Sequence, residues 1–134
     1  MSELSDKSKY NFDAAELLMR NHSLYAPSVH CAYYSCIQYM LHIIFNKLPL
    51  PYQEKYNQGL QKGSSHKVAI QIIKLALGAK PDKEDYTTFQ KKVGELKQHR
   101  EDSDYSQKQI TQDISVTSIA AARSVNSILR SNFK

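Results

Sequence analysis

Glycine and proline are scarce, four of each in 134 residues. An all-β domain needs many tight turns, so this scarcity argues against one. Long apolar runs are also missing. The longest, Met40-Leu41-His42-Ile43-Ile44-Phe45, falls far short of the roughly 20 residues that a membrane span requires. The opening stretch, MSELSDKSKYNFDAAE, is too polar and too acidic for a signal peptide. Cysteine is limited to Cys31 and Cys36. Five residues apart on one helical stretch, they lie about 140° apart around the axis and are badly placed to bridge each other. Two free thiols fit a reducing cytoplasm, and without a partner base neither reads as a nucleophile.

Two kinds of site are missing as well. His22, His30 and His42 show no metal-ligand spacing such as i and i+4. Gly59-Leu60-Gln61-Lys62-Gly63 lacks the pattern of a phosphate loop and the strand that would precede it. No metal or cofactor is expected.

What is present suits one globular domain over residues 1–134. Hydrophobic residues make up 41% of the chain, enough for a core, and the length is too short for two comfortable domains. The net charge of +5 is unevenly spread. Residues 51–100 carry ten positive and five negative charges, while residues 1–50 and 101–134 each balance at four and four. The excess marks either a phosphate-facing surface or a solvated Lys-rich loop and helix face.

Periodicity predicts five helices. The first runs from about Asp6 to Asn21, with Ala14, Leu17 and Leu18 as its apolar stripe. The second runs from Ala26 to about Lys47, with Pro27 in its first turn, where a missing N–H costs nothing. It is apolar on two faces. Val29, Tyr33, Cys36, Met40 and Ile43 form one; Tyr34, Ile37, Leu41, Ile44 and Leu48 form the other. Such a helix is central to its domain, or serves the core with one face and a partner with the other. Leu48-Pro49-Leu50-Pro51 ends it. Residues 52–63 read as a loop with one helical turn around Glu54–Gln58. Ser64 or Ser65 caps the third helix, which turns Val68, Ile72 and Leu75 inward and stops near Gly78. Asp82 opens the fourth. Ser106-Gln107-Lys108-Gln109 has the spacing of a capping box for a fifth, which runs to about Arg130 with Ile114, Ala121, Val125 and Ile128 inward. The short connections imply antiparallel neighbours, hence an all-α, up-and-down bundle of four to five helices.

The fourth helix carries an anomaly. Its apolar stripe, Tyr86, Phe89, Val93 and Leu96, continues into Arg100. A permanently charged guanidinium on a core-facing stripe must be paired or open to a cleft, because a bare buried charge costs several kcal/mol. Asp104 lies four residues on, at ion-pair spacing, and Tyr105 adds a hydroxyl. Two readings follow. Arg100 locks the end of the bundle, through Asp104 or a carboxylate of the first helix, or it faces a groove and holds a phosphate.

Three stretches together resemble the HEPN family, helical domains found beside nucleotidyltransferases and in RNA-targeting defence systems. Ala26-Pro27-Ser28-Val29-His30-Cys31-Ala32-Tyr33-Tyr34-Ser35 is similar to that family's second helix. Ser65-His66-Lys67 is similar to the start of its third. Leu96-Lys97-Gln98-His99-Arg100-Glu101-Asp102-Ser103-Asp104-Tyr105 matches the arginine-to-Asp-Tyr ending of one large subgroup. The resemblance implies a homodimer formed through inner helices, with the two motif ends meeting in a shared cleft. It also implies a nucleotide, RNA or nucleotidyltransferase partner, as in toxin–antitoxin pairs. Ribonuclease members use an arginine to hold the phosphate and a histidine four to six residues later to assist metal-free cleavage. Here the arginine is present, but positions 101–107 contain no histidine, and His99 points about 100° away. Tyrosine, with an ordinary pKa near 10, is a poor base at neutral pH. The ligand-binding candidates are therefore Arg100, Asp104, Tyr105, His66 and Tyr34, and the catalytic candidates narrow to Arg100 and Tyr105. The expectation is a binding module. The alternatives are a metal-independent ribonuclease and a purely structural interaction protein.

Overall fold

The computed structural model describes residues 2–105 and 107–134. Those residues form six helices and no strand: α1 (Glu3–His22), α2 (Tyr25–Asn46), α3 (Leu50–Gly59), α4 (Ser65–Gly78), α5 (Glu84–Tyr105) and α6 (Gln112–Asn132). The all-helical expectation holds, with one helix more than periodicity predicts.

The extra helix is α3, which occupies most of the stretch read as a loop. Its sequence, LPYQEKYNQG, buries a single side chain, Tyr56, so it has almost no apolar stripe to detect. Pro51 stands in its first turn, where proline starts a helix as readily as it ends the preceding one. Gly59 closes α3 against α4. A Cβ there would come within 2.7 Å of a Val68 methyl, so the approach of the two helices depends on a residue without one.

Capping follows local chemistry. The Ser64 hydroxyl accepts from the Lys67 N–H at 3.3 Å and starts α4. Asp82 accepts from the Glu84 N–H at 2.9 Å, just ahead of α5. The last helix begins later than the predicted capping box: Thr111, whose hydroxyl accepts from the Ile114 N–H, caps α6. Ser106, the proposed first residue of that box, lies outside the described residues, and Gln107–Ile110 are not helical.

α2 is the axle of the molecule, packing against each of the other five helices. Val29, Tyr33, Cys36, Met40 and Ile43 are all buried, and so are Ile37 and Ile44 on the second face. Tyr34, Leu41 and Leu48 on that face are half-buried and packed against the core. The two-faced pattern therefore reports a central helix.

Two stripes shift in register. Leu17 of α1 and Leu75 of α4, both predicted inward, are about half exposed. In α4 the deeply buried positions are Ala69, Ile73 and Leu77. In α1 they are Ser5, Ser8 and Ala15, flanked by the packed Phe12 and Met19. Serines face inward because α1 lies close on α2, where a small side chain fits and its hydroxyl finds a main-chain acceptor. Ser8 donates to the Ser35 carbonyl at 2.6 Å, and Ser28 donates to the Ala15 carbonyl at 2.7 Å. Ser115 of α6 joins the same seam, donating to the Ser28 hydroxyl at 3.0 Å. The α5 stripe follows prediction, with Phe89, Val93 and Leu96 buried. No helix of the described residues is long and apolar enough to cross a membrane.

Candidate anion-binding cleft

The α5 stripe delivers Arg100 to a junction of three helices. Phe89, Val93 and Leu96 fix the inward face of α5, and the next turn brings the guanidinium over α2 and the start of α4. The Arg100 side chain is 15% exposed, so most of it lies out of solvent. Its guanidinium carbon stands 4.9 Å from the centre of the Tyr33 ring, in cation–π range, and 5.7 Å from that of Tyr105. Asp104 supplies the counter-charge, with Oδ2 at 3.7 Å from Nε. Of the two pairings the sequence left open, it is Asp104 and not a first-helix carboxylate that meets Arg100.

That pairing leaves the guanidinium incompletely satisfied. At 3.7 Å the ion pair is too long to be a hydrogen bond, and the buried Nε has no hydrogen-bond partner. Nη2 lies 3.4 Å from His66 Nδ1. A guanidinium only donates, so this contact requires a lone pair on Nδ1 and places the imidazole proton on Nε2. Burial lowers the His66 pKa below the ordinary histidine value, and the charges of Arg100, His30 and Lys97 lower it further. His66 is accordingly neutral at pH 7.

The cleft beside this cluster has a volume of about 360 Å³. Tyr33, His66 and Arg100 line it, with Lys67 at the start of α4 and Lys97 and Glu101 on α5. Three full cations thus face one carboxylate. All three belong to the ten positive charges of residues 51–100. Lys92, by contrast, turns aside to pair with Glu95 at 3.8 Å. Part of the mid-chain excess is therefore gathered on one surface, and the positive N-terminal end of the α4 dipole adds to it. Burial pushes the Tyr33 pKa up to about 12 against the lowering effect of Arg100, so the phenol stays protonated as a wall and donor.

The structure brings together most of the predicted site residues, in two groups. Arg100 and His66 line the cleft. Asp104 and Tyr105 meet the guanidinium but are not part of the cleft lining, and Tyr105 is 78% exposed. Tyr34 packs edge-on to His66, ring centres 5.0 Å apart, as a support behind the lining. His99 points away and meets the Ser118 hydroxyl of α6 at 3.0 Å.

Sequence reasoning missed His30. Its Nδ1 lies 3.2 and 3.3 Å from the two Asp104 oxygens, and its ring stacks at 4.5 Å on Tyr34. The local signal was only its place one helical turn before Tyr34; the partner carboxylate is 74 residues away. Lys67 and Lys97 were also missed as individuals, although their charge had been counted. Among the described residues, no three of His, Cys, Asp and Glu gather as a metal site would need. Compared with models of protein families, with curated proteins and with solved structures, the chain matches none.

Proposed function

We propose that the chain is a HEPN-like binding module that holds the phosphate of a nucleotide or RNA at Arg100. The observation that carries this reading is the state of the guanidinium. It is largely buried and stacked on Tyr33, yet its counter-ion is 3.7 Å away and its Nε is unbonded. A structural clamp would close those donors. A phosphate offers oxygens that accept two of them at once. Lys67, Lys97 and the start of α4 supply further positive potential.

The same reading includes an antiparallel, up-and-down helix order, a homodimer and a nucleotidyltransferase partner. The second face of α2 is packed within the molecule, so the dimer rests on the family resemblance alone, and sedimentation of the purified chain measures it. For binding, titration of a labelled RNA oligonucleotide and of ATP at low salt should saturate. Raising the salt should weaken RNA binding steeply, as it does for phosphate contacts. Absence of saturation with both ligands would remove the proposal.

A second reading, a metal-independent ribonuclease, gains support from His66. The sequence places no histidine just after Arg100, but the fold puts one beside it from another helix, and a neutral imidazole is the form a general base requires. Its lone pair faces Arg100, so that role needs the other tautomer when substrate is bound. Incubation with mixed RNA in EDTA separates the readings. Cleavage lost in both Arg100→Ala and His66→Ala establishes the enzyme, and intact RNA leaves the binding module.

A further inference from the structure

A second depression, of about 480 Å³, lies between α1, α2 and α6, away from Arg100. Its volume is in the range of small-molecule sites. Phe12 and Tyr39 supply aromatic walls, and Lys9, Arg123 and Arg130 supply cations against the carboxylate of Asp13. Arg123 is already committed, paired with Glu16 at 3.3 Å and set over the Phe12 ring at 5.4 Å. Even with Glu16 counted, cations outnumber carboxylates three to two. Among the described residues, Lys9 and Arg130 have no ion-pair partner.

Beneath them lies Asn126, 5% exposed and part of the groove lining. Its Nδ2 donates to the Ser35 hydroxyl at 3.3 Å, and that hydroxyl donates onward to the Ala32 carbonyl. The amide orientation is thereby fixed, and Oδ1 is left buried without a partner. A buried acceptor without a donor costs about 1–3 kcal/mol. Among the described residues no donor reaches it, and Asn126 itself belongs to the groove wall.

We infer that this groove binds a small aromatic anion that also donates a hydrogen bond: a flat ring between Phe12 and Tyr39, its charge toward Lys9 and Arg130, and an N–H or O–H toward Asn126 Oδ1. None of these residues belongs to the Arg100 cleft, so the inference stands or falls apart from the proposed function.

Indole-3-acetate has the three features and serves as the probe. The chain contains no tryptophan, so indole emission belongs to the ligand alone. A saturable fluorescence change is expected. Tryptamine, the same ring with a cationic arm, should bind about tenfold more weakly, a difference of about 1.4 kcal/mol. Arg130→Ala and Asn126→Leu should each weaken indole-3-acetate about tenfold, and Arg100→Ala should leave it unchanged. Arg130 is on the surface, so its variant keeps the test valid even if Asn126→Leu fails to fold. The inference is overturned by no saturable change at millimolar probe, by equal binding of the two indoles, by affinity unaffected in Arg130→Ala, or by affinity lost in Arg100→Ala.

Discussion

The serine seam and the Arg100 cluster are both polar, both largely out of solvent and both built on α2, yet they end in opposite states. In the seam, Ser8, Ser28 and Ser115 each place a hydroxyl on an acceptor at 2.6–3.0 Å, and Ser28 and Ser115 are fully buried. Neutral groups whose hydroxyl protons are all placed on acceptors hold α1, α2 and α6 together. In the cluster, a full charge meets a carboxylate at 3.7 Å, keeps a buried N–H unbonded and opens onto a cleft. A fold gains little from a charge held so loosely. The contrast separates polar groups whose hydrogen bonds are complete from a charge with a donor left open, which is what the proposed phosphate site rests on.

The largest expected effect is in the seam. Ser28→Val adds bulk where Ser28 has no exposed surface and removes two hydrogen bonds, so it should destabilise by about 1–3 kcal/mol, read from the urea midpoint. RNA affinity of the folded fraction should not change. A ligand effect as large as the stability effect would break the distinction between the two regions.

Gly94→Ala sharpens it from the other side. A Cβ at Gly94 meets nothing within 4 Å, and the residue is in the interior of α5. The substitution should raise stability by about 0.5–1 kcal/mol through helix propensity, again with binding unchanged. A thermal melt checks it. Loss of stability would mean that the α5 surface is covered in solution.

A smaller effect is expected from pH. Burial lowers the folded-state pKa of His66 and of His42. Below the ordinary histidine pKa of about 6.5, the unfolded chain takes up protons that the folded chain resists. Stability is therefore full above that pH and falls as pH drops through the folded values. His66→Gln should flatten the slope of urea midpoint against pH between neutral and mildly acidic conditions. An unchanged slope would assign the dependence to His42 alone.

Much of this was legible in the sequence, and the gaps have physical causes. Periodicity found five helices because four of them bury a stripe of large apolar residues and α1 packs Phe12 and Met19 beside its buried serines. It missed α3, which buries only Tyr56, and misplaced the inward face of α1, because a hydropathy pattern does not register buried serines whose hydroxyls are satisfied across the helix pair. Arg100 stood out because a cation ended an apolar stripe, and Asp104 followed from i+4 spacing. His66 entered only through the family resemblance. His30, Lys67 and Lys97 required tertiary structure, since nothing local ties α2 and the start of α4 to the end of α5.

The most direct test of the central claim is Arg100→Ala, measured for affinity and stability in the same buffer. The account predicts that RNA or nucleotide affinity falls at least about tenfold. It also predicts that the salt slope of RNA binding drops by about one, and that the urea midpoint moves less than in Ser28→Val. Unchanged affinity with a larger loss of stability would contradict it and make Arg100 a clamp.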